Sequence, residues 1–217
     1  MVHMENEALS NIDVPRWLAW AREIQSLSQT GLTYASNDYE TQRYQRLTEI
    51  AAEIIRDHTG LPEMQLMEDF GLQQGYATPK VDVRGAIICN GEILLVQERL
   101  DGRWCMPGGW ADVGDLPSEM VVREVWEESG FRVVPRKVVG LFDANRSGRP
   151  LELYHAYKVV FLCDITGGEA RPSSETLDVR FFPFDQLPPL STNRTHPRHL
   201  AEVLAHVQDP ERPAAFD

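Results

Sequence analysis

Apolar side chains along the chain follow two rhythms, and the change from one to the other divides it. Trp17, Leu18, Ala21, Ile24 and Leu27 recur at helical spacing behind Asp13 and Pro15, which suit a helix start, and Thr30-Gly31 suits its end. A second helix is expected from Asn37 or Asp38 to His58, with Leu47, Ile50, Ala51, Ile54 and Ile55 on its apolar face and Gly60 closing it. A third, shorter helix follows Pro62. The run GLQQGYATP (71–79), with its glycines and proline, reads as a linker. From Lys80 the rhythm is that of strands: VDVRGAIIC, then Asn90-Gly91, then EILLVQE, a strong local signal for a hairpin. Further strands are predicted at Lys137–Asp143, Tyr154–Cys163 and Val179–Phe184, and helices at Pro117–Ser129 and Thr195–Val207. The expected organisation is a small N-terminal helical domain over 1–75 and a mixed α/β domain over 76–217, with no internal repeat.

A chain of 217 residues accommodates one domain of ordinary size and a small second one. With 42% hydrophobic and 25% charged residues it has a globular composition, and no apolar run approaches the ~20 residues of a membrane span. MVHMENEALSNIDVP lacks the basic start and apolar stretch of a signal peptide, so the expected location is the cytoplasm. A formal charge of −12 argues against non-specific binding to nucleic acid, whose phosphates are held by basic surfaces. An acidic protein that handles polyphosphates needs metal ions, and a local excess of carboxylates is therefore the pattern to seek. Cys89, Cys105 and Cys163 are odd in number and form no C-x-x-C pair, and are expected as buried reduced thiols.

That excess lies in GGWADVGDLPSEMVVREVWEESGF (108–131), a glycine-rich turn leading into a helix. Glu124, Glu127 and Glu128 stand at i, i+3 and i+4 and share one face, whereas Val121, Val122 and Val125 lie opposite and can pack on a sheet. Like charges at this spacing repel, and a bound divalent cation would turn repulsion into coordination; hard oxygen donors suit Mg²⁺ or Mn²⁺. Gly108 and Gly109 let the backbone approach a ligand, and Gly130 suits a left-handed cap. Acids so spaced most often simply face solvent, and the trio alone does not decide the matter. The surrounding residues do. The segment resembles the Nudix box, G-x5-E-x7-R-E-U-x-E-E-x-G-U with U a bulky apolar residue: Gly109, Arg123, Glu124, Val125, Glu127, Glu128, Gly130 and, more loosely, Phe131 fall in register. Asp115 stands where the pattern has Glu, one methylene shorter, and is also a candidate N-cap for the helix.

The resemblance implies an α/β fold, the Nudix α/β/α sandwich with a mixed sheet, over about Lys80 to Val207. It implies metal ligation by Glu124 and Glu128, assisted by Glu127 and the Gly109 carbonyl, with Arg123 orienting a glutamate. The wider pattern, with WLAWAREIQSLSQTGLTYASNDYETQRYQRL ahead of VDVRG, PGGWADVG and FFPFDQLPPLS, resembles the CDP-choline pyrophosphatase-like group. That implies hydrolysis of CDP-choline to CMP and phosphocholine by a homodimer, for which Trp17, Trp20, Leu47, Ile50 and Ile54 are candidate interface or core residues. ADP-ribose or another nucleoside diphosphate sugar is the alternative substrate, and a catalytically silent ligand sensor the alternative class; the intact Arg123, Glu124, Glu127 and Glu128 speak against the latter. Glu124 and Glu175, the latter in SSETLDV, are candidates for the general base. Arg84, Arg99, Trp104 and Trp110 are candidate nucleotide contacts or framework. His58, His155 and His199 are expected to be structural or solvated.

Overall fold

A computed structural model describes residues 15–144 and 155–217, so Asp13 and Tyr154, expected at element starts, lie outside the described residues. The chain divides into two compact units with their junction between Pro79 and Lys80, where the expectation placed it at 75/76.

The first unit holds helices α1 (Arg16–Tyr34), α2 (Asp38–Thr59) and α3 (Glu63–Gly71). Asn37 caps α2 by accepting the Glu40 amide, and Gly60 ends it in the left-handed conformation at φ 75°. Thr30-Gly31 does not stop α1 as expected. A Cβ on Gly31 would lie 2.2 Å from the Tyr44 ring, so this glycine admits a neighbouring side chain instead of ending the helix. Ala21, Ala51, Ala52, Ile55, Leu66 and Phe70 form the unit's core. Leu27, expected on the apolar face of α1, is 60% exposed, and Trp20 is 51% exposed. Trp17 stacks on His58 at 4.5 Å between ring centroids.

In the second unit β1 (Lys80–Cys89) and β2 (Glu92–Glu98) form the expected hairpin, with Asn90 and Gly91 both at positive φ (52° and 83°), as a two-residue turn requires. Short strands β3 (Trp104–Cys105) and β4 (Gly108–Trp110) follow, then helix α4 (Pro117–Ser129). Next come the long strands β5 (Phe131–Asp143) and β6 (Ala156–Gly168), β7 (Thr176–Pro183), helix α5 (Pro197–Gln208) and β8 (Ala215–Phe216). Among the described residues the sheet runs β3-β2-β1-β6-β5-β8, with β4 added to β1 and β7 to β2. β1/β6 and β5/β8 pair in parallel and the other pairs antiparallel, which makes the sheet mixed.

Strand periodicity sends alternate side chains to opposite faces and creates two cores. Val83, Ile87, Leu94, Val96 and Phe161 meet Met120, Val121 and Val125 of α4. Ala86, Ile93, Leu95, Val160 and Leu162 meet Leu200 and Val203 of α5. The result is the α/β/α sandwich. Helix α5 starts later than expected, because the Thr195 hydroxyl accepts the Met106 amide (2.9 Å) and His196 caps instead. His199 is buried, its ring 4.9 Å from that of Phe142, and burial together with nearby Lys158 and Arg198 holds its pKa well below the usual value. Cys105 and Cys163 are buried free thiols, the latter pushed by burial to about 12, whereas Cys89 is only half-buried. Among the described residues no helix is long and apolar enough to cross a membrane.

The seating of α4 depends on Gly85, where a Cβ would lie 2.6 Å from Val125 Cγ2 and 3.2 Å from Val121 Cγ2. Overpacking at such a site costs about 1–3 kcal/mol. Gly85→Ala should lower the denaturant-unfolding free energy by that order, and Val125→Ala, itself destabilising, should recover part of the loss when combined with it. Purely additive losses in the double variant would show that the helix is not seated on Gly85.

Candidate active site

The candidate site is assembled where β4, α4 and the segment before β7 come together. Helix α4 begins at Pro117 in the first turn, where its missing N–H costs nothing, and ends on Gly130 at φ 77°. Its N-cap is Leu116, which makes no side-chain cap bond. Asp115 therefore does not cap the helix: its carboxylate pairs with Arg123 Nη2 at 2.7 Å. The same Nη2 lies 3.6 Å from Asp112 and 3.7 Å from Glu124 Oε1, so Arg123 ties the incoming turn to the helix beside Glu124.

Glycines bring the turn against the acids. Gly108, at φ 139°, has its missing Cβ only 2.0 Å from the Val83 carbonyl, a conformation and a space closed to other residues. Its amide donates to Glu128 Oε2 at 2.9 Å. A Cβ on Gly109 would lie 3.2 Å from Glu124 Oε2, so the backbone runs right alongside that carboxylate. A cleft of about 630 Å³, inside the ordinary range for ligand sites, is lined by Glu124, Glu127, Glu128 and Gly109 on one side and by Glu98, Glu175, Trp126, Arg171 and Arg194 around the rest.

Burial dominates the electrostatics of these acids. It pushes Glu128 up to about 8, although Arg84 and the Gly108 amide pull the other way. Burial and then the neighbouring Glu127 raise Glu124. Glu127 and Glu175 are exposed at the mouth. Among the described residues no three His, Cys, Asp or Glu side chains close into a cage for a cation. The carboxylates line a common cleft instead, which suits Mg²⁺, an ion usually held by a few carboxylates with water and substrate phosphates completing the shell. Desolvated acids beside a glycine backbone fit such a cation by donor chemistry and by charge.

Of the expected nucleotide contacts, the structure brings only part to the cleft. Arg84 lines it, but its guanidinium is buried and committed: Nε and Nη2 donate to Asp82 at 2.9 and 2.8 Å, and Nη1 to the Met106 carbonyl at 3.1 Å. Lys158 Nζ completes the buried group, 3.4 Å from Asp82 and donating to the carbonyls of Asn193 and Arg194 at 3.2 and 2.6 Å. Burial alone would raise the Asp82 pKa, but Arg84 and Lys158 outweigh it and hold the carboxylate below its usual range. Arg99 points its donors into its own protein, to the carbonyls of Ser174 (2.9 Å) and Thr176 (3.4 Å), while its amide donates to Glu175 O at 3.0 Å. It holds the segment that carries Glu175. Trp104 is not at the cleft at all: it is 8% exposed and packs edge-on against Phe182 in the α5 core.

Sequence reasoning passed over Glu98, Trp126, Arg171 and Arg194. Arg171 lies over the Trp126 ring, 5.1 Å from its centroid. Glu98 Oε1 accepts the Cys105 thiol at 3.1 Å and pairs with Arg194 Nε at 3.3 Å. An acid closing an apolar strand, EILLVQE, was the available signal for Glu98; Arg194, in a turn, carried none.

Two family profiles match the chain, a NUDIX domain over residues 79–204 and a "UDP-X-like, N-terminal oligomerisation domain" over residues 15–70. The provisionally named ADP-ribose pyrophosphatase YjhB of Bacillus subtilis is 35% identical over 202 residues, covering 93% of this chain and 97% of that protein. A crystal structure of an ADP-ribose pyrophosphatase from Streptococcus suis 89-1591 is 40% identical with a TM-score of 0.59, covering 64% of this chain and 100% of that one. A crystal structure of a UDP-X diphosphatase is 29% identical with a TM-score of 0.61, covering 93% and 98% respectively.

Proposed function

The chain belongs to the NUDIX family and is a Nudix hydrolase, and from that premise we propose that it is a divalent-cation-dependent pyrophosphohydrolase of nucleoside diphosphates linked to a second moiety, ADP-ribose first among them. The observation that carries the reading is the cleft in which Glu124 and Glu128 are desolvated beside Gly109 while arginines stand around the rest. The acids of α4 suit cations, and Arg171 and Arg194 at the rim are the groups that could meet phosphate oxygens. The names of the Bacillus and Streptococcus relatives favour ADP-ribose over other linked moieties.

In this proposal Glu124, Glu127, Glu128 and the Gly109 carbonyl hold Mg²⁺, with Mn²⁺ able to substitute. When bound, the cation supplies neutralisation of the diphosphate charge and makes water a stronger nucleophile. A water attacks one phosphorus, the bridging P–O bond breaks, and the second phosphate leaves with the bridging oxygen. Either Glu124 or Glu175 receives the proton of the attacking water. Arg123, through its links to Asp115 and Glu124, fixes the glutamate's orientation, and Arg99 fixes the segment bearing Glu175. Asp115 takes the role of Arg123's partner.

CDP-choline is the second reading, favoured by the pattern of the N-terminal helical segment joined to VDVRG and PGGWADVG. We also propose that the N-terminal helices pair two copies of the chain. The support is the exposure of Trp20 (51%) and Leu27 (60%) on α1, an apolar surface that association would cover, together with the matched oligomerisation profile. Light scattering at micromolar concentration should give twice the mass of one chain, and a clean single-chain mass would end that proposal.

The reaction itself is checked by a side-by-side screen of ADP-ribose, UDP-linked sugars and CDP-choline at one Mg²⁺ concentration. ADP-ribose should give AMP and ribose 5-phosphate with the highest kcat/KM, and Glu124→Gln and Glu128→Gln should each lower kcat by about 10²-fold or more without loss of fold. A tenfold preference for CDP-choline, about 1.4 kcal/mol of transition-state discrimination, would overturn the substrate reading. Turnover in neither case, or wild-type turnover in both variants, would overturn the reaction.

A further inference from the structure

Strand β4 serves two faces of the sheet. Gly109 pairs with Val83, on the α4 side, and runs beside Glu124. The next residue, Trp110, pairs with Asp82, which in turn pairs with Lys158 of β6. Cross-strand partners share a face, so Trp110, Asp82 and Lys158 stand in one row on the α5 side. A second cavity opens over that row, about 260 Å³ in volume and lined also by Arg84, Asn193 and Arg194. Three residues, Arg84, Trp110 and Arg194, line both this chamber and the carboxylate cleft, so the two are contiguous around the β4 edge.

The chamber is smaller than the roughly 300–1,000 Å³ of a pocket that encloses a whole ligand, so it suits one part of a molecule whose remainder lies in the cleft. Its charge says which part. One buried anion, Asp82, lies between two buried cations, Arg84 and Lys158, a positive excess of one, while Arg194 at the junction is paired with Glu98 and lies 3.8 Å from Asp101. That excess repels a quaternary ammonium head. Trp110 is 48% exposed and offers an aromatic wall, whereas Arg194, held through Nε to Glu98 at 3.3 Å, stands at the passage between the cavities. A neutral planar ring rich in acceptors fits the wall by stacking and the charge by its electronegative edge.

We propose that the Trp110 chamber receives the nucleobase of the substrate, with its phosphate passing Arg194 to reach Glu124, Glu127 and Glu128. The proposal rests on the hydrolase reading above and adds an orientation to it: the nucleoside lies on the α5 side of β4, and the second moiety is left in the cleft toward Trp126 and Arg171.

The test uses products, which are not hydrolysed, so binding is read with Mg²⁺ present and independently of turnover. The full-length wild type is titrated with AMP, CMP, ribose 5-phosphate and phosphocholine, followed by tryptophan fluorescence and by calorimetry. AMP and CMP should quench fluorescence, and ribose 5-phosphate and phosphocholine should not. The quench should vanish in Trp110→Phe, which keeps an aromatic wall and binds AMP within about threefold of wild type, while Trp110→Ala should bind it about tenfold more weakly. The proposal is overturned if the quench survives in Trp110→Phe, if Trp110→Ala binds AMP as tightly as wild type, if phosphocholine or ribose 5-phosphate gives the Trp110-dependent signal, or if neither mononucleotide binds. Turnover in the substrate screen separates the two readings: an active enzyme without the Trp110 signal keeps the reaction and loses the chamber, and a silent protein with the signal does the reverse.

Discussion

With a Cβ on Gly85 only 2.6 Å from Val125, the distance between helix α4 and strand β1 is set by one missing methyl group, and the geometry of the site follows from that distance. Val121 and Val125 drop onto the sheet, and Glu128, buried on the same inward side, meets β4, with Glu124 half-buried beside it and Glu127 exposed at the mouth. β4 is in turn held against β1 through Gly108, where any side chain would strike the Val83 carbonyl. The Gly108 amide then meets Glu128 and the Gly109 backbone meets Glu124. A single close approach between helix and strand thus determines which carboxylates lose water and which remain at the mouth.

Loss of water has an electrostatic cost that the unit meets in two ways. On the α5 side, Asp82, Arg84 and Lys158 satisfy one another and the carbonyls of Met106, Asn193 and Arg194, so a buried charge excess of one is tied into hydrogen bonds. On the α4 side the acids have no comparable set of partners, and burial shows as the raised proton affinities of Glu124 and Glu128. A cation relieves the second arrangement and has no place in the first.

Much of this was legible in the sequence because it is local. The Gly130 cap and the Asn90-Gly91 turn reside within a few residues and appear where the pattern put them, whereas of the three acids expected opposite the valines only Glu127 is exposed, and Glu128 is buried with Val121 and Val125 on the inward side. What was not legible depends on pairing between distant segments. β3, β4 and β8 are two or three residues long, too short to show a period, yet β4 sets Trp110, half-exposed, opposite Asp82, and β3 buries Trp104 against Phe182. Arg84 and Arg99 were candidates for nucleotide contact or framework, and the fold makes them framework by supplying their partners, Asp82 and the 174–176 backbone. Gly31 carried the chemistry of a helix stop and was used to admit Tyr44. In each instance a residue type with two uses was resolved by a neighbour that sequence distance concealed.

The central claim is that the inner face of α4 is a centre for divalent cations. Mn²⁺ binding, followed by electron paramagnetic resonance on the full-length protein without substrate, tests it most directly. Wild type should bind Mn²⁺, Glu128→Gln should lose most of that affinity, and Glu119→Gln, which removes an exposed acid from the first turn of the same helix, should bind as wild type does. Equal binding by all three proteins would contradict the claim.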